Sequence, residues 1–225
     1  MPELGEALGL PVALGLGVVL VGWYVAGNEL MRRRAHRLAL WSKRVIDPLG
    51  GTQSIRWLGG QAFRLEVEGP KAPFRSVMVT GLVESWDVPM VWAWNRLHGR
   101  RDMVLLQATL RAQPLWGLEV YRPGTVLAGD SRHLARQEGW TESPLEELTV
   151  AAPGEPPRRL AAELVEVLDS ERSRLVRLAV RRRGNHLTLA LNVPDPARFD
   201  PAQVNGLARR LAERIASGST SGSTG

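Results

Sequence analysis

The chain has no cysteine, only two lysines (Lys43 and Lys71), and no second long apolar run after its first thirty residues. Without cysteine there can be no disulfide framework, thiolate metal site or cysteine nucleophile, and the compartment stays open. With so little lysine, the net charge of +6 rests almost entirely on arginine, a bias that suits anionic lipid or nucleic acid. Phosphate-cradling loops of the Gly-x-Gly-x-x-Gly or Gly-x-x-x-x-Gly-Lys kind are missing too. The four histidines, His36, His98, His133 and His186, have no metal-ligand spacing between them. No cofactor or metal is therefore expected.

What is present begins with an anchor. Between Glu6 and Glu29 the run ALGLPVALGLGVVLVGWYVAGN carries no charge over 22 residues. About 20 helical residues cross a hydrocarbon core of about 30 Å. Trp23 and Tyr24 stand near the far end, where amphipathic rings favour the headgroup level. A cleaved signal peptide would open on basic residues, and this one opens on Glu3 and Glu6. A core helix would show a polar stripe, and here every face is apolar.

The flanks set an orientation. Acids precede the run, while Arg32, Arg33, Arg34 and Arg37 follow it. The excess of cations marks the cytoplasmic side, so the expectation is a single-pass protein of the cell membrane, N-terminus outside and domain cytoplasmic. The same arginines can hold anionic headgroups. Gly9, Ala13 and Gly17, spaced by four, could let two such helices approach closely.

The expected organisation is an external N-terminus (1–6), the transmembrane helix (7–28), a basic helical stem (29–50), a soluble domain (51–216) and a flexible Ser/Gly/Thr tail (217–225). In the stem, Leu30, Leu38 and Trp41 fall at helical spacing, before Pro48 and Gly50-Gly51 stop it. The period then turns to two: Phe63, Leu65 and Val67 alternate with Arg64, Glu66 and Glu68, a strand with one wet face. Further strands are expected near 54–58, 75–84, 103–111, 116–121, 148–150, 175–181 and 186–193. Helices are expected at 88–98, at 160–168 and from Asp200 onward, where Asp200-Pro201-Ala202-Gln203 resembles a capping box. The Gly-, Pro- and acid-rich stretch 123–157 reads as a long surface excursion. The class is α+β, two layers of mainly antiparallel sheet with helices. A seven-strand barrel closed by a C-terminal helix, similar to pleckstrin-homology domains, is the alternative.

Chemistry-bearing motifs are few. Val126-Leu127-Ala128-Gly129-Asp130-Ser131 resembles the nucleophile block of SGNH (GDSL) esterases, which would make Ser131 a nucleophile. The resemblance covers six residues. That family's oxyanion-hole Gly and Asn and its late Asp-x-x-His do not follow, and Gly-Asp-Ser is also an ordinary turn. Glu142, Glu146, Glu147 and Glu155 crowd a polar stretch in which acids are usually solvated. Arg100-Arg101 and Arg181-Arg182-Arg183 could meet nucleic acid, but most of the eight tryptophans fall in apolar patterns where packing accounts for them.

The balance falls against an enzyme. The leading expectation is a membrane-anchored domain that binds a protein partner, pairs with itself, or serves as accessory subunit of a membrane assembly. Lipid-surface binding is the second reading. Trp86 and Trp92 are the candidate partner contacts, with Val91, Trp94 and Leu97 expected on the face that packs against the sheet.

Overall fold

Among the described residues nine strands build one open antiparallel sheet, and a single long helix runs from it toward the N-terminus. The computed structural model describes residues 3–97 and 101–221, without the side chains of residues 3–10, 169, 170 and 218–221. The strands are β1 (Thr52–Trp57), β2 (Ala62–Glu68), β3 (Phe74–Leu82), β4 (Met103–Leu110), β5 (Leu118–Tyr121), β6 (Thr141–Leu145), β7 (Leu148–Ala152), β8 (Leu175–Val180) and β9 (Leu187–Asn192). They stand in the order β1-β2-β3-β4-β9-β8-β5-β7-β6. The helices are α1 (Glu3–Ile46), α2 (Pro89–Leu97), α3 (Ala128–Gln137), α4 (Glu155–Leu168) and α5 (Pro201–Ser221). This is the expected α+β arrangement. The sheet is not closed, so the barrel alternative does not hold.

Alternation decides which face is covered. Phe63, Leu65 and Val67 of β2 and Val77 and Val79 of β3 are buried beneath α1, while Glu66, Glu68 and Arg75 point away. α4 continues the layer over β5 and β7, and α5 lies between α1 and α4. Leu207, Leu211 and Ile215 give α5 its buried stripe, and Asp200 caps it by accepting from Ala202 N at 2.9 Å.

α1 is one helix with two lives. Residues 11–26 are exposed or half-buried and apolar, and this helix alone among the described residues is long and apolar enough to cross a membrane. From Gly27 onward the same helix is a core element. Met31, Ala35, Leu38, Trp41, Val45 and Ile46 are buried at helical spacing. Trp41 stacks on Phe199 at 5.3 Å and donates to its carbonyl at 2.6 Å; Asn205 Nδ2 donates to the Val45 carbonyl at 2.7 Å. The stem expected over 29–50 thus contributes Ala35, Leu38, Trp41, Val45 and Ile46 to the same core as the strands.

Four further expectations change. The stretch 123–157 folds into α3 and the β6–β7 hairpin, and α3 covers the second face of the sheet at β5 and β7 through Ala128, Ser131 and Ala135. Gly129-Asp130-Ser131 lies in the first turns of that helix and is not a turn. α5 runs to Ser221, so the Ser/Gly/Thr segment begins as helix, while residues 222–225 fall outside the described residues. Among the eight tryptophans only Trp41 belongs to the buried core; Trp57 and Trp94 are exposed.

Candidate functional site

Where the apolar part of α1 ends, three segments of the domain gather around it. The segment before α2 makes the closest approach. Trp23 Nε1 donates to the Trp86 carbonyl at 3.0 Å, and a Cβ on Gly27 would lie 2.8 Å from the Trp86 carbonyl carbon. Only glycine lets the backbone of residue 86 rest on the helix there. The Trp92 ring fills the remaining angle, with centroids 6.1 Å from Trp23 and 5.1 Å from Trp86.

Two turns further along α1, Arg34 closes the junction. Its guanidinium lies 4.7 Å over the Trp86 ring and 3.9 Å from Asp102 Oδ2. Asp102 Oδ1 accepts from Glu84 N at 2.8 Å. Burial pushes the Asp102 carboxyl above its ordinary pKa, against the pull of that hydrogen bond and of Arg34 and Arg37. Burial raises the neighbouring Glu84 as well, opposed first by Arg96 and Arg101.

With Trp92 turned toward α1, the opposite side of α2 is left outward. Met90 and Leu97 are 83% exposed and Trp94 is 63% exposed, one to two turns apart on one face. This reverses the expected orientation: Trp94 and Leu97 face away from the protein, Trp92 faces inward, and Asn95 is buried. The β1–β2 hairpin brings a second apolar group to the same level. Its tip, Leu58-Gly59-Gly60, closes with Leu58 N donating to the Ala62 carbonyl at 2.9 Å, and Gly60 lies beside Asn28. Trp57 and Leu58 are exposed there, and Trp57 meets Phe63 edge-on at 5.8 Å.

Between α1 and that hairpin lies an open groove of about 1100 Å³, lined by Asn28, Arg32, Arg33, His36, Arg37 and Trp57, among others. Residues 28, 32 and 36, and residues 33 and 37, follow one another on the helix face turned from the core. β1 overhangs because α1 packs on β2 and β3. The four arginines after the apolar run are thus divided. Arg34 is spent on Trp86 and Asp102, whereas Arg32, Arg33 and Arg37 are exposed, with Arg33 held by Glu29 at 2.7 Å. A groove with three guanidinium groups and a tryptophan can take a phosphate monoester or diester by bidentate hydrogen bonds.

The other nominated residues lie elsewhere. Ser131 is buried and donates to Glu119 Oε2 at 3.0 Å. Glu119, also buried, accepts from Arg177 at 2.7 and 2.6 Å and from Arg181 at 3.0 Å. His133 is exposed and His186 Nδ1 accepts from Leu110 N at 3.1 Å, so the hydroxyl is a structural donor in a buried ion network. Glu146 and Glu147 pair with Arg172 and Arg122. Ala13 and Gly17 are exposed along α1, while the surroundings of Gly9, like His98 and Arg100, lie outside the described residues. Sequence reasoning missed the exposed set Trp57, Leu58, Met90, Trp94 and Leu97. The available signal was the Trp57-Leu58 pair beside the Gly59-Gly60 turn, more apolar than a solvated hairpin tip needs to be.

No protein-family model matches the chain, and no curated protein matches its sequence.

Proposed function

We propose that the chain is a non-enzymatic, single-pass membrane-anchored module whose domain sits directly on the bilayer surface and gathers anionic phospholipid headgroups. The observation that carries this is the convergence at one level: the end of the apolar run at Trp23–Asn28, the exposed apolar face of α2, the hairpin tip, and the groove of Arg32, Arg33 and Arg37. Apolar and tryptophan side chains favour the boundary between hydrocarbon and headgroups, and arginines just beyond it meet the phosphates. The acid-before, arginine-after flanks support an outside N-terminus and a domain on the cytoplasmic side of the cell membrane.

Partner binding through Trp86 and Trp92 draws less support, because both rings are taken up by Trp23 and Arg34. The discriminating experiment compares the full chain in nanodiscs of mixed phosphatidylcholine and phosphatidylglycerol. Native mass spectrometry should find phosphatidylglycerol enriched on the released protein, and Arg32→Gln/Arg33→Gln/Arg37→Gln should lower that preference at least about tenfold, at about 1 kcal/mol per basic residue. Equal retention of the two lipids by the wild-type chain would sink the lipid reading.

A further inference from the structure

Beneath α2, on the flank of Val91 and Asn95, lies a cleft of about 600 Å³ between that helix, the residues that follow β3, the start of β4 and the loop after β5. Its size falls in the ~300–1,000 Å³ range of small-molecule sites. Val91 of α2, Met103 of β4, Val126 of the loop and Val176 of β8 give it apolar walls. Val91 and Val126 remain exposed at its rim.

The polar groups in the cleft are unevenly satisfied. Glu84, two residues beyond β3, is buried, 6% exposed. Among the described residues no hydrogen-bond donor reaches its Oε1, and Arg96 stands 4.0 Å from Oε2. A buried carboxylate oxygen without a donor is costly, and a ligand that supplies one recovers that cost. Beside it, Asn95 is also buried and lines the same cleft.

Charge narrows the class of ligand. The Glu84 carboxyl group disfavours an anionic head. Arg101 and Arg122 line the cleft as well, and with Arg96 beside Glu84 they disfavour a cationic one. A neutral donor remains. We propose that this cleft binds an uncharged amphiphile of lipid origin, an acylglycerol or long-chain alcohol, whose hydroxyl donates to Glu84 Oε1 while its chain lies against Val91, Met103, Val126 and Val176. The inference rests on the membrane seating above for its supply of ligand. It does not depend on the arginine groove, which lies between α1 and the β1–β2 hairpin and shares no lining residue with this cleft.

The test uses the full chain in nanodiscs of phosphatidylcholine alone, so that selection of anionic lipid plays no part. A monoacylglycerol carrying a photoreactive diazirine in its chain is the probe. Crosslinks should fall on peptides containing Val91 and Val126. Monooleoylglycerol should compete them away, and methyl oleate, which has no hydroxyl, should not. Glu84→Leu should reduce labelling at least tenfold. Should that variant fail to fold, Val126→Trp, a change at an exposed rim position, fills the entrance and should abolish labelling with the fold intact. Competition by methyl oleate equal to that by monooleoylglycerol would overturn the proposal. So would crosslinks confined to residues 11–28, or full labelling of a folded Glu84→Leu or Val126→Trp protein.

Discussion

Gly27 and the Trp86 carbonyl group touch so closely that no side chain fits between them, and this contact fixes where the domain meets the apolar end of α1. Gly27→Val should push residues 85–87 away from the helix, at about 1–3 kcal/mol for overpacking. Trp92→Ala should act on the same junction by removing two aromatic contacts, each worth about 0.5–1.5 kcal/mol. Limited proteolysis of the full chain in detergent checks both. Cleavage near α2 should speed up in each variant, and wild-type cleavage rates would contradict the junction's role.

Glu119 presents the opposite case, a charge with every partner in place. Glu119→Ala leaves Arg177 buried and unpaired and should cost about 3–5 kcal/mol. Ser131→Ala removes one donor to a charged acceptor and should cost about 1.5–3 kcal/mol. Chemical denaturation measures both. A fluorophosphonate probe should leave Ser131 unlabelled, since its hydroxyl is buried and its acceptor, Glu119, is already held by Arg177 and Arg181; labelling at that residue would reinstate the nucleophile reading.

Asp102 makes stability depend on pH in a definite direction. Its carboxyl holds its proton more tightly in the folded chain than in the unfolded one. Between the two pKa values the folded state binds more protons, so stability falls as pH rises. The loss begins near pH 4, the ordinary aspartate value, and is complete above the raised folded value. The groups facing it are Arg34, Arg37 and Glu84, and Glu84 shifts the same way. Asp102→Asn keeps an acceptor for Glu84 N and should flatten the dependence of melting temperature on pH from 4 to 7. Parallel wild-type and variant profiles would count against it.

Arg32→Glu/Arg33→Glu/Arg37→Glu should weaken or invert insertion by removing the exposed cations on the inner side of the run. Arg34 is left untouched because it holds the domain together at Trp86 and Asp102. Protease added to intact cells should spare the wild-type domain and digest the inverted one. Digestion of the wild-type domain without lysis would overturn the proposed orientation.

Much of this architecture was legible in the chain. The period-two pattern of Phe63, Leu65 and Val67 and the cap at Asp200 report local geometry, and local geometry survives in the fold. α3 was not legible, because its packed stripe is Ala128, Ser131 and Ala135, and small or polar residues give no apolar signal. α2 was found but turned the wrong way. An apolar stripe of Met90, Trp94 and Leu97 says that a face avoids water and is silent about what it meets instead. The division of the arginines, with Arg34 inward and Arg32, Arg33 and Arg37 outward, depends on Trp86 and Asp102, distant in sequence, and so could not be read from the cluster itself. The ion network at Glu119 joins three chain segments and was hidden for the same reason.

The pairing of α1 with α5 also sets an order of events during synthesis. The stem of α1 leaves the ribosome well before α5, yet Trp41 waits for Phe199 and the Val45 carbonyl waits for Asn205. At about 5–20 residues per second, the intervening chain takes roughly 10–30 s to appear. For that interval a stripe of Leu38, Trp41 and Val45 stands uncovered next to an apolar segment long enough to cross a membrane. The first helix is thus made long before its partner, and the last helix acts as the clasp that closes the core.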